Sequence, residues 1–353
     1  MVSRLLEVTG TRTYADAGVS VAAGEEVVRR IAATVASTTR PGVLGGIGGF
    51  AGLFALDRAA YDEPVLVASA DGVGTKLEVA RLVGRYDTVG IDLVAMLVDD
   101  LVCAGAEPLF VLDYVAAGVV EPSALSDLIA GVAEGCRRAG VALLGGETAE
   151  HANVMAPGEF DLAGFALGVV ERSRVLSPAR VREGDVLVGL HSPGLRSNGY
   201  ALARSVLIPE VKSLSEAAFD GATRTLGDEL LEPSVIYAPL VVAIRDELAE
   251  RLHAAAHVTG GGIVGNVVRL LPGDLDATIE MSSFPTPEIF YEVQRRGPVS
   301  AHEMVRVFNC GLGMVLAVDG DGAEMALALA SAAGQGASIV GAIVAGSQKV
   351  VVS

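Results

Sequence analysis

Thirteen residues, Ser173 to Asp185 (SRVLSPARVREGD), interrupt an otherwise apolar and glycine-rich chain. On either side of them, strand-like and helix-like segments alternate. Before the link, PVLVASADGVGTK reads as a buried strand running into a glycine turn. Val89 to Cys103 has apolar residues at helical spacing, and PLFVLDYVAAG is a strand. Ser123 to Gly140 is a helix closed by a glycine, ALLGGETAE a strand entering a turn, and EFDLAGFALGVVE a further long strand. After the link the pattern restarts with DVLVGLHSPGLRSNGY, a strand, a loop and a helix, and continues to the C-terminus. A chain of 353 residues divided this way predicts two α/β (α+β) domains, 1–172 and 173–353.

The balance of charge narrows the function. With 26 Lys and Arg against 43 Asp and Glu, the net charge of −17 repels nucleic acid and anionic membrane over most of the surface. A phosphorylated ligand would then need local helix N-termini, a few cations and a metal ion. Three cysteines, Cys103, Cys136 and Cys310, are odd in number and far apart, so no disulfide framework or zinc knuckle is expected. MVSRLLEVTGTRTYADAG holds no apolar run of signal-peptide length, which predicts a cytoplasmic protein. Met325 to Gln348 carries no charge, but Gly334-Gln335-Gly336 would break a helix there, so it reads as a buried helix, a turn and a buried strand.

Several segments could carry chemistry. In Asp71-Gly72-Val73-Gly74-Thr75-Lys76 a strand delivers an aspartate into a turn with two glycines and a lysine. Amides of such a turn can meet phosphate oxygens, the lysine can pair with them and the aspartate can hold Mg²⁺; a plain strand-end turn is the other reading. Asp92 and Asp99, seven apart, share a helix face, and the Asp99-Asp100 pair sits between apolar stretches where a carboxylate is costly without a cation. Asp92 alone could simply be solvated. Glu147, after the strand that ends in Gly145-Gly146, could complete a shell for a hard cation. The tract Gly45-Gly46-Ile47-Gly48-Gly49-Phe50 reads as a flap over phosphates or as a flexible turn. Ser197-Asn198-Gly199 and His257-Val258-Thr259-Gly260-Gly261-Gly262 each open a helical run and could cradle an anion. His257 reads first as a core or loop histidine and second as a catalyst.

Taken in order, TYADAGV, GGFAGLFAL, DGVGTKL, GIDLVAMLVDDLVCAGAEPLF, GGETAE, SNGY, HVTGGG and FNCGLGM resemble the phosphoribosylformylglycinamidine cyclo-ligase (aminoimidazole ribonucleotide synthetase) family. They span the chain from about residue 13 to its end. The resemblance implies a homodimer whose N-terminal domains pair through their sheets. It also implies closure of formylglycinamidine ribonucleotide to aminoimidazole ribonucleotide at the expense of ATP. By match to the motifs, Asp71, Asp100 and Glu147 would hold Mg²⁺. Lys76, with Gly72, Gly74 and Thr75, would meet the triphosphate, and Gly48, Gly49 and Phe50 would close over it. Ser197, Asn198, Gly199 and Thr259 to Gly262 would hold the substrate; Asp16 and His257 are the candidates for proton transfer.

Three positions depart from the family pattern. Ala15 stands where relatives often carry lysine, Arg196 where they often carry histidine before SNGY, and Asp99 in place of a frequent asparagine. Asp99 adds a negative charge beside the expected metal, to tighten it or to be solvated. Related ATP users share the architecture, and a thiamine monophosphate kinase-like enzyme is the alternative; a nucleotide-binding regulator without turnover is the non-enzymatic one. No cysteine precedes Cys103, and the first histidine is His151, which argues against selenophosphate synthetase and the preceding pathway enzyme respectively.

Overall fold

The computed structural model describes residues 13–46 and 48–353. Part of the segment inspected for a signal peptide, and Ile47 of the glycine tract, lie outside them. The N-terminal half contains α1 (Val21–Ala36), β1 (Pro64–Gly72), α2 (Lys76–Val83), α3 (Val89–Cys103), β2 (Glu107–Ala117), α4 (Pro122–Ala139), β3 (Ala142–Glu150) and β4 (Phe160–Glu171). Its sheet has the order β1-β4-β2-β3, with β4 antiparallel to both neighbours and β2 parallel to β3. A parallel pair needs a long crossover, and α4 supplies it, ending at Gly140 in the left-handed conformation.

The C-terminal half contains β5 (Val186–His191), α5 (Tyr200–Leu207), α6 (Leu226–Leu230), α7 (Ala238–Leu248), β6 (Leu252–His257), α8 (Gly262–Val267) and β7 (Leu275–Ile279). It continues with α9 (Glu288–Arg296), α10 (Ala301–Val307), β8 (Leu312–Val318), α11 (Gly322–Ala332), β9 (Ala337–Ala345) and β10 (Val350–Val352). Its sheet runs β10-β7-β9-β5-β8-β6 and is antiparallel except for β10 beside β7. The uncharged stretch from Met325 falls on α11, a turn at Gly334 and β9. Among the described residues no helix is long and apolar enough to cross a membrane.

Helix α3 explains how the halves join. It is apolar on nearly every side, and a helix of that kind must be covered all round. β1, β4 and α4 cover it within its own half, while β6 and α7 cover it from the other. On the opposite face of the first sheet Leu66, Tyr114 and Phe165 stand exposed among the described residues.

One expectation fails in a useful way. Gly145 to Glu150 is not a turn but the second half of β3, paired residue by residue with β2. Gly146 serves a close approach there: a Cβ on it would lie 1.7 Å from Asp113 Oδ1.

Candidate active site

The acids of α3 divide according to the way they face. Asp92 and Asp99 lie on the stripe that enters the other half, and both are wholly buried. Asp92 sits 2.7 Å from Lys76 Nζ and accepts hydrogen bonds from the Ser234 amide (2.8 Å) and hydroxyl (2.6 Å). Lys76 also donates to the carbonyls of Glu232 (2.7 Å) and Arg196 (3.1 Å), and lies over the Tyr200 ring. Burial pulls the Lys76 ammonium down and pushes the Asp92 carboxyl up, and the charge of each opposes the shift of the other. Nζ is wholly buried in the junction, between the Asp92 carboxylate and two carbonyls. The structure thus places the Lys76 ammonium away from the exposed Gly74–Thr75 turn, from which the reading of DGVGTK has it meet a phosphate.

Asp99 accepts from the amides of Tyr237 (2.8 Å) and Ala238 (2.9 Å) and pairs with Arg196 at 2.9 Å. Its charge is therefore neither beside an open metal site nor solvated. The two departures from the family pattern, Asp99 and Arg196, are each other's partner.

Asp100 lies one residue further, about 100° round the helix, and emerges at the mouth between the halves. Its Oδ1 is 2.8 Å from His257 Nδ1, and Oδ2 is 3.5 Å from the Ser69 hydroxyl. Asp71, two residues beyond Ser69 and so on the same face of β1, is exposed at the end of the strand. Desolvation raises its pKa, an effect the Gly72 amide counters and the nearby Asp100 charge reinforces. Asp71 and Asp100 are thus near enough for one charge to act on the other, and among the described residues Asp71 has no ion-pair partner. Gly74 and Thr75 of the adjoining turn are exposed, whereas Val73 and Lys76 are buried.

The substrate loops come to the same mouth. Asn198 approaches Gly260, so the SNG and TGGG segments converge. Ser197 Oγ, Asn198 Oδ1 and Arg196 Nε are buried without a hydrogen-bond partner. Unpaired buried polar atoms are costly, and a polar ligand would complete them. Gly199 has φ +80° and could carry no side chain, since a Cβ would lie 2.3 Å from Phe308. Asn266 Nδ2 wires the glycine turn by donating to the carbonyls of Thr259, Gly260 and Gly262. His257 itself is buried, and both ring nitrogens are engaged, by Asp100 and by Arg196. That geometry leaves it no free lone pair for proton transfer.

Gly48, Gly49, Phe50 and Glu147 belong to a second region. The chain folds back between Gly42 and Ala55, with the glycine tract at the tip and Phe50 fully exposed. Under the tract is a cavity of about 840 Å³, lined by α1, β2 and β3 and including Asp113 and Glu147. Glu147, Tyr114, Ala163 and Gly72 occupy one cross-strand row. Three strand spacings place Glu147 roughly 14 Å from the end of β1. Glu147 therefore cannot join Asp71 and Asp100 on one ion within this chain, and among the described residues no three His, Cys, Asp or Glu side chains gather as a metal shell. Asp16 also stays apart, exposed in a short turn where its carboxylate accepts from the Thr13 amide (2.7 Å) and hydroxyl (2.8 Å). Neighbouring Ser20 is tied to Glu150 at the end of β3.

Residues 55–170 match the AIR synthase related protein N-terminal domain, and residues 182–353 the corresponding C-terminal domain. A phosphoribosylformylglycinamidine cyclo-ligase of Anaeromyxobacter dehalogenans (strain 2CP-C) is 51% identical over 335 residues, 95% of this chain and 96% of its own length. That of Carboxydothermus hydrogenoformans is 46% identical over 97% of this chain and 98% of its own. The chain belongs to the phosphoribosylformylglycinamidine cyclo-ligase family. Solved structures widen the fold beyond that family. Thiamine-monophosphate kinase from Stenotrophomonas maltophilia K279a superposes with a TM-score of 0.68 at 21% identity, covering 93% of this chain and 96% of the kinase. Hydrogenase maturation protein HypE in complex with ATP gives 0.63 at 15% identity, covering 98% and 92%. At those identities the likeness is one of fold, so the cyclo-ligase assignment rests on the sequence relatives and the kinase alternative gains nothing from it.

Proposed function

We propose that this chain is an ATP-dependent cyclo-ligase of purine biosynthesis, closing formylglycinamidine ribonucleotide to aminoimidazole ribonucleotide with release of ADP and phosphate. The observation that carries the reading is the mouth between the halves. There Asp71 and Asp100 face convergent loops whose Ser197 Oγ and Asn198 Oδ1 lack partners. A formamide oxygen is a poor leaving group. Its attack on the γ-phosphorus of ATP expels ADP and makes an iminophosphate. The formamide nitrogen has by then lost its proton. The amidine nitrogen bonds to that carbon and sheds its own, the C–O bond breaks and phosphate leaves with the formamide oxygen. A proton shift from the ring CH₂ to the exocyclic nitrogen gives the imidazole, and one proton is released overall.

The residues fit these tasks as a positioning device. Ser197, Asn198, Gly199 and the Thr259–Gly262 turn bind the anionic substrate. Gly48, Gly49 and Phe50 close over the nucleotide, with Gly72, Gly74 and Thr75 offering amides to its phosphates. Two nearby carboxylates suit Mg²⁺, which commonly takes one or two of them and completes its shell with phosphate and water. Asp71 and Asp100 would hold that ion, and it would supply neutralisation of phosphate charge. Glu147 stays with the cavity under the glycine tract, and Lys76 supports the site through the junction.

The sheet face with exposed Leu66, Tyr114 and Phe165 supports a homodimer through the N-terminal sheets. Nucleotide and dimer functions accordingly belong to residues 1–172 and substrate binding to 173–353. Three unpaired thiols suit the reducing cytoplasm.

The test is incubation of purified protein with MgATP and formylglycinamidine ribonucleotide, following ADP and aminoimidazole ribonucleotide together. One-for-one formation is expected. ADP without the imidazole would overturn the reading and send the protein to a kinase assay with thiamine monophosphate.

A further inference from the structure

Arg196 meets Asp99 on α3, His257 on β6 and the Val235–Tyr237 segment that leads into α7. Its backbone is left-handed, with φ +62°, a conformation that costs a residue with a side chain and is kept only where the surroundings demand it. The guanidinium is buried 4.8 Å over the Tyr237 ring, and Nη1 donates to the Val235 carbonyl at 2.7 Å. Nη2 lies 2.9 Å from Asp99 Oδ2 and 2.8 Å from His257 Nε2.

Chemistry fixes the protons. A guanidinium has donors and no acceptor, so Nε2 must be the bare nitrogen of His257. The ring proton is then on Nδ1, which donates to Asp100 Oδ1 at 2.8 Å. Asp99 stays aligned because its other oxygen is held by the Tyr237 and Ala238 amides. One chain of contacts thus runs from a buried pair to the exposed carboxylate at the mouth.

We propose that Arg196 and Asp99 form one positioning unit, which fixes His257 in its Nδ1–H tautomer and so holds the Asp100 carboxylate in place at the mouth between the halves. His257 is then a positioning residue rather than a base. This rests on the functional reading of the cleft, but the geometry it predicts can be measured without substrate. A pair that merely joined the two halves would change stability alone.

The experiment uses ¹⁵N-histidine-labelled full-length protein. Long-range ¹H–¹⁵N spectra report the tautomer of each histidine, with His257→Gln assigning the signal. The expected spectrum has His257 Nε2 bare and Nδ1 protonated, and Arg196→Met abolishes that preference. Turnover in Arg196→Met and in Asp99→Asn falls about tenfold, the range seen when a partner that orients a ligating residue is removed, while KM for ATP holds.

Each single substitution strands a buried charge, whereas Asp99→Asn combined with Arg196→His removes both together. With both buried charges gone, no stranded carboxylate draws a proton onto His257 Nε2, so the double substitution recovers turnover and the Nδ1–H tautomer relative to either single. If Arg196→Met fails to fold, this pair carries the test. A proton on Nε2 in the unaltered protein, an unchanged His257 spectrum in folded Arg196→Met, or a double substitution no better than the singles overturns the proposal. A wild-type protein that makes no aminoimidazole ribonucleotide overturns the functional reading instead, and leaves the tautomer result to judge the positioning unit.

Discussion

At the junction of the two halves Lys76, Asp92, Asp99 and Arg196 are buried, and each meets an opposite charge with further hydrogen bonds around it. In the cavity under the glycine tract, Asp113 is nearly as buried and, among the described residues, meets no cation and no donor but its own amide. Burial accordingly pushes the Asp113 carboxyl up to about 7. The junction holds charge as matched pairs that lock two halves together, and it leaves only Asp71 and Asp100 at its mouth for a ligand. The cavity region has glycines and an exposed phenylalanine where the junction has ion pairs. Rigid support and adaptable cover are thus separate parts of one site.

The largest effect should come from breaking a matched pair. Asp92→Ala strands the Lys76 ammonium and should cost about 3–5 kcal/mol, read from urea unfolding. Replacing both with apolar residues of similar size, Asp92→Leu with Lys76→Met, should recover most of that loss. If the single and double substitutions unfold alike, Lys76 is not held by Asp92.

Gly146→Ala should come next. Its Cβ would meet Asp113 Oδ1 at 1.7 Å, and the forced shift should cost about 1–3 kcal/mol. An unchanged midpoint would remove the close-approach explanation for that glycine.

Asp113 tests the other side of the comparison through pH. Its folded pKa is raised, so between about 4 and 7 the folded state holds a proton that the unfolded state has released. Stability from this group is full below the unfolded pKa, falls as pH rises through that window and levels off above the folded pKa. Asp113→Asn should flatten the decline, seen as parallel thermal midpoints at pH 5 and 8. A decline as steep as that of the unaltered protein would show that another group carries it.

The smallest effect on stability belongs to Phe50→Ala. Phe50 is fully exposed and packs on nothing in this structure, so the unfolding midpoint should not move, while KM for ATP should rise several-fold. An unchanged KM would detach the glycine tract from the nucleotide.

Much of this was legible in the sequence wherever local pattern decides structure. The apolar period from Val89 to Cys103 coincides with α3, and the glycine that ends α4 and the break at Gly334 behave as turn chemistry requires. The family resemblance implied that the SNG and TGGG loops serve one substrate, and the structure brings Asn198 next to Gly260. What spacing could not supply was direction in three dimensions. Asp92 and Asp99 share a stripe, as seven-residue spacing demands, but only the second half of the chain reveals that this stripe meets Lys76 and Arg196. The lysine of DGVGTK looked like a phosphate ligand because its turn is glycine-rich, yet the helix it begins turns it inward. Glu147 looked close to the other acids because a turn was expected, and the strand carries it across the sheet. Asp113 is a lone acid in the apolar run PLFVLDYVAAG, and that isolation is the signal in the sequence for its burial.

The division between charges that hold the halves and charges that serve the reaction is tested most directly at Asp71. Among the described residues it makes no ion pair and accepts a hydrogen bond only from the Gly72 amide at 2.7 Å, and desolvation already disfavours it as an anion. Asp71→Asn keeps the shape and removes the charge. Turnover of formylglycinamidine ribonucleotide should fall by at least about 100-fold, the scale of losing a charge that stabilises a transition state, while the urea midpoint of the same sample stays level or rises. Turnover within a few-fold of the unaltered protein, or a midpoint that falls as in Asp92→Ala, would contradict the account.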